Sequence, residues 1–497
     1  MRKMWPICIL AVAWGVGPAI PALLAGDLLG HGHTDLYPSV WGLWAFAEAQ
    51  PGLPNRTDLL GFPQGMGYYY SSPIKGWLAA LLLPIMSLPT TWNLLVIAAR
   101  LATVMTSYGA ARAWGLGQRG ALAAAALYGC SPFFHGYAVE GIAEGSDGWT
   151  LALWVWAIGL GRFRLAAIPF ALTLLSSWYL GMVALLLMCL AAIRERRALW
   201  SLLGLVFAAP ALAQFVSAFP GTAPLETAVR AAMGAQLQIP TPGWRPGIQP
   251  FAINTYVGGV ALVTALASRT RWVIAALIPA FLSLGVGPIY ELPVAELVRF
   301  PYRWHAATLV LLAPAVAITA DRWRWGALVA PLIVAEGLLF SPVEPILPGA
   351  SATIPAYVDH INGPVLEVPG PVAMPPGQVN RSRGRARFLM YHQTAHRQPS
   401  PWVPDFNSVG VDSSANEAHL ETLSGLDRLT GVSPPAEIDW SVFATMGITH
   451  VAVHHLRLGK VRDDIAVSTL TAQGWEPAYQ SRDTSVYVRP DSRSQPQ

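Results

Sequence analysis

The chain has 497 residues, 53% of them hydrophobic and only 12% charged, whereas soluble domains run at about 25% charged. That balance excludes a soluble enzyme as a reading of the whole chain, and a net charge of +4 is too small to argue for nucleic acid. The three cysteines, Cys8, Cys130 and Cys189, all fall in apolar segments, which excludes a disulfide framework or a zinc site built from them.

Apolar segments recur in chain order at 5 to 26, 73 to 88, 92 to 113, 119 to 136, 148 to 162, 164 to 193, 199 to 217, 253 to 268, 272 to 288, 304 to 320 and 325 to 340. The first follows Arg2 and Lys3 and is long enough, at ~1.5 Å per residue, to cross a ~30 Å hydrocarbon core. It is expected to be an uncleaved first helix, not a signal peptide. Short basic links at 112 to 119, 162 to 164, 194 to 197, 269 to 271 and 322 to 324 are expected to face the cytoplasm. Parity then requires 164 to 193 to cross twice, with its break at Ser176-Ser177. It also requires 73 to 88, which opens with Pro73 and Lys75, to be an interfacial or re-entrant helix. The fold class expected is mainly α: a polytopic transmembrane bundle of about eleven spans with a C-terminal soluble α/β domain.

The outer face then receives the loops 26 to 72, 137 to 147, 218 to 252 and 289 to 303. The chain divides into a membrane module over 1–340 and an extracytoplasmic domain over 341–497. In that tail, 365 to 368, 448 to 453 and 486 to 488 read as strands, and 419 to 429, 440 to 445 and 463 to 471 as helices. The arginine run 381 to 387 reads as a solvated loop. Gly115-Leu116-Gly117-Gln118-Arg119-Gly120 has the letters of a dinucleotide fingerprint, but no strand precedes it, so it is set aside.

Three clusters carry side chains suited to chemistry. The first outer loop holds His31, His33 and Asp35 before an aromatic helix with Trp41, Trp44 and Phe46. A carboxylate there serves either as a general base or as the cap of the following helix, and a His-x-His pair without a third ligand is a weak metal signal. The second loop holds Glu140, Glu144 and Asp147. Glu140 and Glu144 share a face if that stretch is helical, and no basic partner lies nearby in sequence. The third cluster, Arg299-Phe300-Pro301-Tyr302-Arg303-Trp304-His305, places two guanidinium groups where they either bind a phosphate through forked hydrogen bonds or anchor to lipid head groups.

Across most of its length the chain resembles the GT-C superfamily of integral-membrane glycosyltransferases. The likeness is carried by Thr34-Asp35-Leu36-Tyr37-Pro38-Ser39-Val40-Trp41-Gly42-Leu43-Trp44, Phe62-Pro63-Gln64-Gly65, Leu175-Ser176-Ser177-Trp178-Tyr179-Leu180-Gly181 and Arg299-Phe300-Pro301-Tyr302-Arg303. In the tail it rests on Met390-Tyr391-His392-Gln393-Thr394-Ala395-His396 and Gly447-Ile448-Thr449-His450-Val451. The resemblance implies inverting transfer of a hexosyl or pentosyl group from a polyprenyl-phosphate-linked donor to an acceptor glycan, lipid or protein. It places this at the outer face of a bacterial inner membrane, in cell-envelope assembly.

By position it implies Asp35 as base, Glu140 or Glu144 as a second-loop acid, and Arg299 or Arg303, with His33 and His305, as substrate-binding groups. Many relatives carry an acidic pair in the first loop, whereas Asp35 is followed by Leu36, so no metal or other cofactor is expected. The rival readings are a transporter or flippase of lipid-linked intermediates and a non-catalytic envelope assembly protein. A transporter should carry charges at the bilayer midplane; Arg100 and Glu336 are the charges inside predicted spans.

Overall fold

The computed structural model of the chain describes residues 4–63, 65–218, 255–285, 301–368, 387–401, 446–455 and 460–490. In chain order its helices are α1 (Trp5–Gly15), α2 (Ile20–Ala25), α3 (Leu36–Glu48), α4 (Pro73–Leu82), α5 (Leu88–Ala113), α6 (Gln118–Gly129), α7 (Pro132–Val139) and α8 (Gly148–Gly159). They continue as α9 (Ala167–Ser176), α10 (Trp178–Arg194), α11 (Gly204–Ala218), α12 (Gly259–Ala267), α13 (Arg271–Ser283), α14 (His305–Arg322), α15 (Val329–Phe340), α16 (Phe388–His396) and α17 (Lys460–Ala472). The strands are β1 (Leu28–Leu29), β2 (Arg56–Thr57), β3 (Met66–Gly67), β4 (Gly349–Ala350), β5 (Val365–Val368), β6 (His450–His454), β7 (Glu476–Gln480) and β8 (Thr484–Val488). They fall into two compact units: Met1–Ser39, Tyr70–Leu212 and Ala223–Ala352 in the first; Val40–Tyr69, Ala213–Thr222 and Thr353–Gln497 in the second.

The first unit is a helical bundle centred on α5, which packs against α1, α6 and α8. Small residues let the backbones close up. A methyl group on Gly129 would lie 2.7 Å from the Val104 Cα, and one on Gly109 would strike the Trp156 ring, the glycine-mediated packing that membrane helices use. The outward faces stay apolar and open, with Leu24 84% and Ile193 83% exposed, an arrangement that water would penalise and lipid does not. Among the described residues Trp5–Ala25, Leu88–Ala113, Arg196–Gln214 and Pro301–Arg322 are long and apolar enough to cross a bilayer, alongside shorter apolar helices. The chain is an integral membrane protein.

Two expected breaks are explained by local chemistry. Ser177 stands in extended backbone between α9 and α10 and accepts a hydrogen bond from the Leu180 N–H, so the 164 to 193 segment is indeed two helices. α4 has only 10 residues, about 15 Å of rise. At the start of α6 the Asp321 carboxylate accepts from the N–H groups of Gly117 (2.6 Å) and Gly120 (2.8 Å). It therefore fills the position a phosphate would take at that helix end, which is why the glycine-rich link is no nucleotide site.

The second unit contains a four-stranded mixed sheet in the order β5-β6-β8-β7. β5 pairs parallel with β6 in the register Val365↔His450 and Val368↔Val453, and the remaining pairs are antiparallel. The strands expected at 365 to 368, 448 to 453 and 486 to 488 and the helix at 463 to 471 are present; those at 419 to 429 and 440 to 445 lie outside the described residues. On one face Ala466 and Leu470 of α17 pack with Leu366, Val368, Val451, Val453 and Tyr487, and Phe62 joins them from the 26 to 72 loop. That loop is stitched to the tail: Phe62 N–H donates to the Ser400 carbonyl (3.1 Å), Ser400 N–H to Leu59 O (2.9 Å), and Gln393 Nε2 to Leu59 O (2.7 Å). The motifs at 62 to 65, 390 to 396 and 447 to 451, far apart in sequence, thus meet in one unit.

Candidate functional site

The first unit brings the start of the 26 to 72 loop and the 137 to 147 loop together. α2 ends on Gly26, whose left-handed backbone (φ 76°) turns the chain into β1, and β1 pairs antiparallel with β4. Buried side chains at the head of α5 fix that turn: Asn93 accepts from Leu29 N–H and donates to Asp27 O, both at 2.8 Å, and Trp92 Nε1 donates to Leu29 O at 3.0 Å. The loop then crosses the end of α7. His31 N–H donates to Val139 O (2.8 Å), and the Thr34 hydroxyl donates to Glu140 O (2.7 Å). The crossing is backbone on backbone, since a methyl group on Gly141 would sit 2.6 Å from the Leu36 Cα.

Asp35 follows Thr34 directly. Its carbonyl accepts the Ser39 N–H (2.9 Å), which puts it at the N-cap position of α3, and its side chain is half-buried. The helix end and its partial positive charge stabilise a carboxylate there, so capping and a chemical role are compatible. His31 Nε2 contacts Glu344 Oε1 at 2.5 Å. Burial, followed by the neighbouring His33 ring at 5.2 Å, pushes the His31 imidazole down to about 4, and burial pushes the Glu344 carboxyl up. At neutral pH a neutral His31 therefore faces Glu344, while His33 is exposed.

In the second loop the expectation of one helical face is corrected. Glu140 caps the end of α7, Gly141 turns left-handed (φ 65°), and Glu144 opens a separate 3-10 turn, Glu144–Ser146. The three acids also have partners that sequence proximity did not suggest. Arg303 Nη1 donates to Glu144 Oε1 at 3.0 Å, and its guanidinium lies 3.7 Å from the Tyr179 ring centroid, with Tyr137 at 5.6 Å and Tyr302 at 6.0 Å. The stacking geometry suits a planar cation and would not suit lysine.

Asp147, 1% exposed, takes Lys75 Nζ at 3.1 Å and the Ser72 hydroxyl at 3.2 Å. Lys75, 2% exposed, also donates to Ser146 Oγ (2.7 Å) and to the Ala143 carbonyl. Burial pushes the Asp147 carboxyl up while Lys75 and the hydrogen bonds from Lys75, Ser72 and Trp149 oppose it. Glu140 is buried.

Of the residues singled out in sequence, Asp35, His33, Glu140, Glu144 and Arg303 belong to these two joined loops and the turn that meets them. His305 is buried against Phe133 (centroids 5.4 Å apart), and Arg299 lies outside the described residues. Lys75, Tyr179 and Glu344 were missed as partners. The lone cation at the start of an apolar helix was the available signal for Lys75, and Trp178-Tyr179 at the helix break was the signal for the ring.

No protein-family model and no curated protein matches the chain. Solved structures do. A mycobacterial arabinofuranosyltransferase, AftD, aligns at 17% identity and TM-score 0.53 over 96% of this chain and 40% of its own. An Archaeoglobus fulgidus oligosaccharyltransferase solved with zinc and sulfate aligns at 12% identity and TM-score 0.51, over 98% of this chain and 73% of its own. The chain thus spans about two fifths of the arabinofuranosyltransferase. It has the GT-C fold of membrane glycosyltransferases.

Proposed function

We propose that this GT-C-fold chain is an inverting glycosyltransferase. It moves a hexosyl or pentosyl group from a polyprenyl-phosphate-linked donor to an acceptor on the extracytoplasmic face of a bacterial inner membrane. About eleven crossings, with α4 lying at the interface, put the joined loops and the tail on that face. Asp35 removes the proton from the acceptor hydroxyl or amine as the acceptor attacks the anomeric carbon and the lipid phosphate leaves. Cationic stabilisation of that leaving group falls to Arg303, with Glu144 and the Tyr179 ring holding its fork in place. An incoming phosphate would have to share the guanidinium with Glu144, which makes Glu144 a gate on donor binding.

The observation that carries the reading is the hydrogen-bonded crossing of the first and second outer loops at Thr34 and Glu140, which fixes Asp35 where two loops and a helix N-terminus meet. Among the described residues no three His, Cys, Asp or Glu side chains are arranged to hold a metal, and His31 is engaged by Glu344. The flippase alternative loses its motive. Arg100 donates to Trp14 O (2.5 Å) and meets His135 Nδ1 (2.7 Å), while Glu336 accepts from Gly259 N–H, Val260 N–H and the Tyr256 hydroxyl. Both charges inside predicted spans thus serve as structural ties.

The test is release of polyprenyl phosphate by the purified protein from a panel of lipid-linked sugars. Asp35→Asn keeps the cap and removes the base, and is expected to lower transfer about 100-fold or more, whereas Asp27→Asn should do much less. Near-normal transfer by Asp35→Asn would name the wrong carboxylate, and release in none of the panel would remove the enzyme reading.

A further inference from the structure

The second unit hides an unusual charge layer. Among its described residues Glu367 is the only buried carboxylate, no Lys or Arg is buried, and four imidazoles are: His392, His396, His450 and His454, each 3–7% exposed. They gather on the face of β5 and β6 that α16 and the 3-10 turn Ala356–His360 cover. From the turn, the Tyr357 hydroxyl donates to Glu367 Oε1 (2.9 Å) and therefore accepts from His392 Nδ1–H (2.8 Å). From β6, His454 Nε2 lies 3.8 Å from Glu367 Oε1. From α16, His396 accepts the Gln398 N–H on Nδ1 (3.1 Å), which leaves its buried Nε2 as the protonated nitrogen, with no hydrogen-bond partner among the described residues. His450 Nδ1 is taken by the Thr449 hydroxyl (2.8 Å). The other charged groups on these elements, Asp359, His360 and Arg397, are exposed, and Arg387 is half-buried.

We propose that α16 is an acid-released latch, held down while the buried imidazoles of His396 and His450 are neutral and freed when they are protonated. A proton on His396 or His450 puts a cation in a layer that, among the described residues, holds no second carboxylate, and a buried charge without a counter-charge is expensive.

The ionisation shifts have the matching sign. Burial pushes His396 down and takes His450 down to about 4, and Glu367 lies below its ordinary value, burial's upward push being outweighed by the neighbouring imidazoles of His454, His396 and His392. For a base whose folded value is depressed, the unfolded state binds more protons once pH drops below about 6.5, so stability falls from there toward 4. The carboxyl loses stability in the same direction. What α16 holds gives the latch its consequence: Gln393 ties down Leu59 of the first outer loop, and Arg397 pairs with Glu48 at 3.1 Å. Release of α16 releases residues 56 to 62 of the 26 to 72 loop.

The test is hydrogen–deuterium exchange on the full chain in nanodiscs from pH 7.5 to 4.5, corrected for the intrinsic rate. Segments 387–401 and 56–62 should lose protection together, by about 10-fold or more, with a midpoint below the ordinary imidazole value, while 88–113 stays protected. His396→Asn keeps the acceptor for Gln398 N–H and removes one titrating ring, so its midpoint should move to lower pH by roughly half a unit or more. Glu367→Gln removes the one neutralising charge and should move it to higher pH. Should Glu367→Gln already be unprotected at pH 7.5, the His396→Asn shift decides alone. Protection at 387–401 that persists to pH 4.5, a loss shared equally by 88–113, or one midpoint for wild type and His396→Asn would overturn the latch.

Discussion

Replacing Lys75 with methionine probes how the 137 to 147 loop is held in place. Methionine fills nearly the same volume, so the packing term is small and the loss is electrostatic. Lys75 Nζ gives up Asp147 Oδ1 at 3.1 Å, Ser146 Oγ at 2.7 Å and the Ala143 carbonyl. Asp147, 1% exposed, keeps the Ser72 hydroxyl but loses its counter-charge. Breaking one side of a buried pair costs about 3–5 kcal/mol, provided Asp147 stays ionised.

Protonation is its escape, and burial already pushes that carboxyl up. Without Lys75 the folded value climbs further above the unfolded value of about 3.9. A carboxyl raised in this way binds more protons folded than unfolded, so stability is greatest below the unfolded value and is lost as pH rises through the folded one. The deficit of Lys75→Met relative to wild type should therefore be small at pH 4 and approach its full size by pH 8. Comparing at equal pH cancels the titration of the tail imidazoles. Lys75→Met with Asp147→Asn removes both charges and should recover most of the loss, a coupling of about 2 kcal/mol or more. Unfolding of the detergent-purified protein, followed by tryptophan fluorescence for all four members of the cycle, reads these quantities. A single-variant loss under about 1 kcal/mol at pH 8, or a double variant no better than the single, would refute the buried ion pair as the lock.

Other consequences are sharper in direction than in size. Arg303→Lys keeps charge but loses the fork and the stacked plane on Tyr179, so donor affinity should fall partially, and Arg303→Ala should fall further by about 1 kcal/mol or more; equal affinity in both would return the residue to a structural role. Cysteines at the exposed positions Ala49 and Glu476 should react with an impermeant reagent in intact cells while one at the exposed Arg119 should not, and labelling at Arg119 would overturn the charge-based topology. Phe62→Ala should destabilise the tail by about 2–4 kcal/mol, because the ring is only partly buried against the core of Leu366, Val451 and Leu470. Limited proteolysis of the 446–490 region, unchanged by the substitution, would count against that packing.

The apolar runs and basic links were enough to read a membrane bundle, because a helix in lipid needs little beyond length, hydrophobicity and the sign of its flanking charges. The break at Ser176-Ser177 and three tail strands were legible for a similar reason: each is a local preference of a few residues, and nothing distant overrides it. Asp35, Glu144 and Arg303 could be picked by residue type, but their partners could not. Arg303 and Glu144 are 159 positions apart and Lys75 and Asp147 are 72 apart, and no periodicity carries a pairing over such a distance. The shared face that Glu140 and Glu144 would have had in a helix is broken at Gly141, which turns left-handed where Leu36 of α3 leaves no room for a side chain. The same holds for Phe62 and the tail: a loop residue became core only when the sheet formed beneath it. Sequence determined which segments are apolar enough for lipid and which residues are chemically able; only the packed chain decided which charges meet, since burial makes an unpaired charge costly enough to choose its partner from anywhere along the chain.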